Sequence, residues 1–211
     1  MSKLPLPPAA SRLRLIPPAV EHLSAGTLVW RVYFRGGPYP GRWDLMRDFG
    51  PTTARFDHHL PDPAGQPCRQ QRAIQYLALD GITPLAEVFQ DTRVIHRGSR
   101  APWLVAYRLA RDLDLLDLTG GYPTQAGASM LINCGSRPRA RLWSRVFHDA
   151  YPQVQGLYYP SCMHGNHPCV ALYERGAAAI PAHPSFHRAL SDRALRMSLR
   201  NAAAAIGYLL I

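Results

Sequence analysis

Prolines punctuate this chain too densely for a helical bundle: 20 of its 211 residues are proline and 16 are glycine. A proline ring removes a backbone donor and clashes with the preceding turn, at a cost of about 3 kcal/mol in a helix interior. Elements must therefore be short and joined by many turns, which predicts a mixed, loop-rich fold. The length suits one domain with a sizeable core.

Patterning between the prolines selects the elements. TLVWRVYF (27–34) is β-branched and aromatic and reads as a buried strand with Arg31 at its middle; the turn formers of RGGPYPGRW follow as a loop. ARFDHHLPDPAGQPCRQQ (54–71) starts with a short extended piece and breaks into a polar loop, after which RAIQYLALD (72–80) reads as a strand. In TPLAEVFQ (83–90), Thr83 takes the N-cap and Pro84 the first helical position, so Glu87 falls about one turn into a short helix. Residues 102–120 read as two strands broken near Arg111 and Asp112. Leu142, Trp143, Val146 and Phe147 lie at helical spacing in 139–151, ahead of Pro152. Apolar runs on either side of SCMHGNHPC (161–169) predict an antiparallel hairpin, with Gly165 and Asn166 at its positive-φ positions. The alanine- and leucine-rich tail (184–211) predicts a helix weakened by Gly207, and residues 1–26 an extended lead-in to a 27–211 domain.

Several function classes fall away. No apolar run approaches the roughly 18 residues that span a bilayer, and prolines interrupt the N-terminal stretch where a signal peptide needs its apolar segment, so a cytoplasmic protein is expected. Four cysteines in a chain of this size do not make a disulfide scaffold. No glycine-rich dinucleotide fingerprint or phosphate-binding loop occurs, so a nucleotide would have to be held by side chains. The net charge of +10 comes from 23 arginines and one lysine spread over both halves, a field that suits nucleic acid, a pyrophosphate or an acidic protein.

The hairpin tip is a candidate metal site: Cys162, His164, His167 and Cys169 carry the right atoms for zinc. Structural zinc sites, however, separate two ligand pairs by a dozen or more residues, and four ligands within eight residues have little scaffold; a turn with incidental cysteines is the favoured reading, and no metal is assigned. Cysteine–histidine catalysis from the same loop is a weaker alternative. Arg31, Arg42 and Arg55 sit among buried-type neighbours, and a buried guanidinium needs an anion, either an internal carboxylate such as Asp44 or Asp57, or a ligand.

Taken in order, VWRVYF with Arg31, ARFDHH with Arg55, AIQYLALDGITPLAEVF with Tyr76 and Glu87, and VQGLYYPSCM…HPCVALYE with Ser161 resemble the RES-domain family. The resemblance implies an α+β, ADP-ribosyltransferase-like mixed fold with a split, mainly antiparallel β core flanked by helices. It implies a toxin of a bacterial toxin–antitoxin pair that consumes NAD+ as substrate without a bound cofactor, with inorganic phosphate as co-substrate in some members and water or a protein as acceptor in others. Arg31, Glu87 and Ser161 match the name-giving catalytic residues; Arg31, Ser161, Arg55 and Tyr76 match positions of the NAD+ pocket. The long segment between the first two arginine motifs leaves Arg42 as an alternative to Arg55 for phosphate. The implied partner is a cognate antitoxin of the Xre/MbcA type in a hetero-oligomeric complex, with any DNA contact made by that partner.

The chemistry is coherent with these residue types. Cleaving the nicotinamide–ribose bond passes through an oxocarbenium-like state that a carboxylate stabilises, and nicotinamide departs neutral, so a single glutamate suffices. Guanidinium forks suit pyrophosphate or phosphate better than lysine does. The rival readings are a mono-ADP-ribosyltransferase acting on a protein, a nucleic-acid-binding module using the charge, and a zinc-stabilised structural protein.

Overall fold

The computed structural model describes residues 3–211. Along the chain run α1 (Ala10–Leu13), β1 (Val20–Leu23), β2 (Leu28–Phe34), β3 (Arg47–Gly50), β4 (Cys68–Ala78), α2 (Thr83–Val88), β5 (Val94–Ile95), β6 (Pro102–Arg108) and β7 (Leu113–Asp117). There follow α3 (Tyr122–Gln125), α4 (Leu131–Cys134), α5 (Arg137–Ala150), β8 (Gly156–Pro160), β9 (Pro168–Tyr173), β10 (Phe186–Ala189), α6 (Arg196–Ile206) and β11 (Leu209–Leu210). Helices stay short because proline and glycine interrupt them, and α5 is long because after Pro138 the next proline is Pro152.

Nine strands form one sheet in the order β1-β7-β8-β9-β4-β2-β6-β10, with β3 paired to β4 beside this path. Every pairing is antiparallel except β7 with β8. The centre is split. Whereas β2 and β6 are in register over seven residues, β2 and β4 are joined at the single pair Trp30–Ala78. The strands part on either side of that pair, and Arg31 and Tyr76 lie beside the gap.

Three apolar clusters hold the layers. Trp143 and Phe147 of α5, with Tyr122, pack on one face of the β4-β9-β8 half, against Ile74, Leu157 and Ala171. On the other face Leu77, Val170 and Leu172 meet Val29, Tyr33 and Val105 of β2 and β6. α2 and α6 cover Val32 and Leu104 with Leu85, Phe89 and Leu199. Burying a large apolar side chain contributes about 1.5–3 kcal/mol, so α5 is held mainly by its inward stripe. Gly156 lets β8 approach β9, since a Cβ there would come within 2.4 Å of the Ala171 carbonyl oxygen.

The strands at 28–34, 102–108 and 113–117, helix α5 and the hairpin β8–β9 follow the sequence reading, and Gly165 and Asn166 take the positive φ angles of 49° and 64°. Four expectations are corrected. The lead-in is not merely extended: it holds α1 and β1, β1 pairs with β7, and Leu4, Leu13 and Leu23 are buried. ARFDHH is not extended strand; the local strand is β3, and β4 begins earlier, at Cys68. Thr83 does not cap α2. It is already the first helical residue and the N-cap position falls on Ile82, which has no side-chain acceptor; Asp80, two residues ahead of it, accepts from the amides of Ile82 and Thr83 at 2.8 Å each. The tail is only partly helical: Phe186–Ala189 join β6 as a strand, since Phe186 packs against Trp30, and Gly207 at φ +68° ends α6 so that Leu209 and Leu210 pair with β5.

Candidate active site

The site is built where the split sheet meets α2 and the end of β8. Glu87 stands on the last turn of α2, and Ser161 follows β8 directly. The Ser161 hydroxyl donates to Glu87 Oε1 across 2.6 Å and accepts from the amides of Met163 and His164 at 3.1 and 3.0 Å. The serine is buried and its hydrogen-bonding capacity is largely taken up. Its proton is committed to the carboxylate, so it holds Glu87 in one orientation.

Two adjoining cavities, of about 300 and 220 Å³, share Tyr76, Glu87, Val88 and Tyr159 as a common wall. Arg55 and Arg137 line the larger, Arg31 and Arg47 the smaller. Four guanidinium groups thus face one carboxylate, and the surplus of positive charge in a concave, partly desolvated space is suited to an anionic ligand.

Three of the four arginines are positioned by neutral groups. Arg31 Nη1 donates to the carbonyls of Trp43 at 2.9 Å and Leu45 at 3.2 Å, and more distantly to that of Arg42 at 3.5 Å. Burial lowers the pKa of Arg31 because a desolvated guanidinium is disfavoured as a cation, a penalty that a nearby anion would offset. Arg55 donates to the Gly135 carbonyl and Arg137 to the Gln90 side chain, both at 2.7 Å. Among the described residues no carboxylate lies within ion-pair distance of Arg31, Arg55 or Arg137. Arg47 is paired with the buried Asp57 through Nη1 at 3.0 Å, while its Nη2 is buried without a partner.

Two further polar atoms on these walls are buried without a partner, the Tyr76 hydroxyl and Asn133 Oδ1. A buried polar group left unpaired costs about 1–3 kcal/mol, and three such atoms belong to residues that line this one cleft.

Arg31, Arg55, Tyr76, Glu87 and Ser161 are therefore brought together, though Ser161 lines neither cavity and acts through Glu87. Arg42 is not brought in. Its guanidinium is exposed and forks onto Asp44 at 3.1 and 2.6 Å, the internal-carboxylate alternative. Arg47, Asn133 and Arg137 are site residues that the sequence reading missed. The first lies in residues 44–53, to which the sequence reading gave no element, and the other two belong to α4 and α5, whose helical periodicity says nothing about which end borders a cleft.

The four cysteines and histidines of the hairpin tip do not converge. His164 and His167 stack with ring centroids 3.9 Å apart and turn toward Asp80 and Thr83, whereas the Cys162 thiol donates to the Asn133 carbonyl and Cys169 is buried in the β8–β9 pair. Burial pushes the Cys162 thiol up to about 11, the wrong direction for a thiolate nucleophile. Two groupings have metal-ligating atoms within reach of one another, Asp80–His164–His167 and His58–His148–Glu174. In the second, Glu174 already accepts from His148 at 2.6 Å and His58 at 2.9 Å. No helix is long and apolar enough to cross a membrane.

Comparison with known proteins bears on the fold and the family. In the crystal structure of the M. tuberculosis MbcT–MbcA toxin–antitoxin complex, one chain superposes with a TM-score of 0.55 at 16% identity, over 85% of the present chain and 92% of that one. The shared fold is the ADP-ribosyltransferase-like α+β arrangement with its mainly antiparallel sheet. No curated protein matches the chain significantly. The family profile described as the RES domain matches residues 28–198, a span that contains every arginine of the cleft together with Glu87 and Ser161, and this chain is accordingly a member of the RES domain family.

Proposed function

We propose that the chain is a toxin that degrades NAD+ by breaking the nicotinamide–ribose bond, with inorganic phosphate or water as acceptor, and that a cognate antitoxin protein neutralises it. The observation that carries this reading is the 2.6 Å bond that fixes Glu87 on the wall between two arginine-lined cavities. As the bond breaks, positive charge develops on the ribose and the electron pair returns to the pyridinium nitrogen, so nicotinamide leaves without needing a proton. A single oriented carboxylate beside the ribose stabilises that charge, and an electrostatic contact of this kind contributes about 2.7–4 kcal/mol in well-studied enzymes. Arginines without carboxylate partners suit the pyrophosphate, and the buried Asn133 Oδ1 suits an amide or amino donor on the dinucleotide.

The partner proposal leans on the MbcT–MbcA complex, whose toxin chain shares this fold, and on the +10 net charge, which favours an acidic surface on the antitoxin. Product analysis tests the enzymatic reading. Incubation with NAD+ and phosphate, followed by mass spectrometry, is expected to give free nicotinamide with ADP-ribose or its phosphate ester. ADP-ribose attached to a protein of a cell extract, with no turnover in buffer, would instead establish a protein-modifying transferase.

A further inference from the structure

We propose that Asp80, His164 and His167 form a site for one divalent transition-metal ion of the zinc type. The hairpin tip supplies the two imidazoles and the turn between β4 and α2 supplies the carboxylate. The proposal is independent of the NAD+-cleaving reading. It keeps the histidines of SCMHGNHPC and exchanges both cysteines of that motif for Asp80.

Three donors already face one another there. His167 Nδ1 is 3.1 Å from Asp80 Oδ2, His164 Nδ1 is 3.9 Å from Asp80 Oδ1, and one ligand atom from each residue lies within 4.8 Å of the other two. The imidazoles stack with centroids 3.9 Å apart and planes 16° apart, and both turn Nδ1 to the same carboxylate. The turn holds them on one side: the His167 amide donates to the His164 carbonyl at 2.8 Å, with Gly165 and Asn166 at positive φ between them. Asp80 divides its oxygens. Oδ1 accepts from the amides of Ile82 and Thr83, whereas Oδ2 meets only side chains, the Thr83 hydroxyl at 2.6 Å and His167. An ion on Oδ2 therefore leaves the start of α2 undisturbed. The Asp80 and His167 side chains are 32% and 47% exposed, so an ion reaches them from solvent.

Two imidazoles and a carboxylate are a donor set that zinc accepts, with water in the fourth position. A carboxylate only accepts, so the His167 Nδ1 carries the proton of its bond to Oδ2; coordination displaces that proton and puts the ion in its place. Zinc bonds of about 2.0–2.2 Å set donor atoms about 3.3 Å apart. His167 and Asp80 already stand near that spacing, and His164 draws in on the tip of a turn. The ion would clamp the hairpin tip to the start of α2, the two elements that the Ser161–Glu87 bond also joins.

The test titrates metal-stripped protein with Zn2+ against a chromophoric chelator, and with Co2+ followed by its visible absorption. It compares wild type with His167→Gln, Asp80→Asn and, at the second histidine cluster, His148→Gln. The expected result is one equivalent of Zn2+ bound by the wild type, a Tm raised by the ion, and a cobalt spectrum without the sulfur charge-transfer band that a cysteine ligand adds. His167→Gln and Asp80→Asn are expected to weaken binding about tenfold or more and to abolish the gain in Tm, and His148→Gln to leave both within about twofold. Asparagine keeps an oxygen for the two amides of α2; should Asp80→Asn still fail to fold, the half-exposed His167→Gln decides alone. The proposal is overturned if the wild type takes up no stoichiometric Zn2+ or if the affinity survives in His167→Gln. It is equally overturned if His148→Gln removes the binding, because the ion then sits between His58, His148 and Glu174, or if the sulfur band appears, which returns the ion to a cysteine.

Discussion

Ser161 and Glu87, 74 residues apart in the chain, are joined by a 2.6 Å hydrogen bond that ties the β8–β9 hairpin to α2. The serine anchors the hairpin tip with two amides and spends its own proton on the carboxylate. Removing it frees Glu87 to rotate and leaves those amides without their acceptor. Ser161→Ala is therefore expected to lower turnover about 10- to 100-fold, the worth of one hydrogen bond to a charged group, with a Tm loss of only a few degrees. Steady-state kinetics beside thermal unfolding checks this, and an unchanged turnover number would remove Ser161 from the site.

Arg55 and Arg42 separate by the same logic. Arg55 lines the larger cavity without a carboxylate partner, whereas Arg42 is exposed and bound to Asp44. Arg55→Ala is expected to raise the KM for NAD+ about tenfold or more, as loss of one charge-assisted contact does, and Arg42→Ala to leave it within about twofold. A larger effect from Arg42→Ala would reverse the assignment.

The first 26 residues carry stability. Leu13 is fully buried, Trp143 Nε1 donates to the Pro5 carbonyl at 2.9 Å, and β1 extends the sheet edge at β7. Leu13→Ala should cost about 2–5 kcal/mol by denaturant unfolding, and a chain lacking 1–26 should fail to fold stably. A truncated chain with wild-type Tm would contradict this placement.

Acid should destabilise the fold from near pH 6.5 downward. Burial holds His58 down at about 4, and two imidazole donors hold Glu174 well below the usual carboxylate range despite its partial burial. Both pKa values are depressed on folding. The stability linked to His58 is complete above its unfolded value near 6.5 and is lost as pH falls toward 4; that of Glu174 is lost below about 4.5, in the same direction. Each proton taken up by the unfolded chain and refused by the native one changes stability by about 1.4 kcal/mol per pH unit. His148, Asp149 and Arg72 surround the pair, so Glu174→Gln should remove the lower part of the profile. Chemical denaturation between about pH 7.5 and 2.5 measures it, and a flat profile in the wild type would contradict the account.

How far the chain could be read follows from where each signal resides. β2 was legible because β-branched and aromatic residues surround Arg31, and α2 because Pro84 follows capping-type residues, the first-turn place where a helix accepts proline. The cap was misread since Thr83 and Asp80 are both capping types, and only the backbone path selects the carboxylate. β10 was hidden at the head of an alanine- and leucine-rich tail: Phe186 and His187 become strand through contact with Trp30 and Trp103, 156 and 84 residues away in sequence. Glu87 and Ser161 were found through short motifs, each persuasive only in the company of the others. Arg47 had no such company, and its role comes from β3 lying against β4 at the edge of the gap.

The central claim is tested most directly by nicotinamide release from NAD+ by the purified protein and by its Glu87→Gln variant, which keeps the size of the side chain and a carbonyl that can still accept from Ser161. The account predicts release by the wild type and a loss of about 100-fold or more in the variant, as expected when a charge-stabilising group is neutralised. Equal release by the two proteins would contradict it.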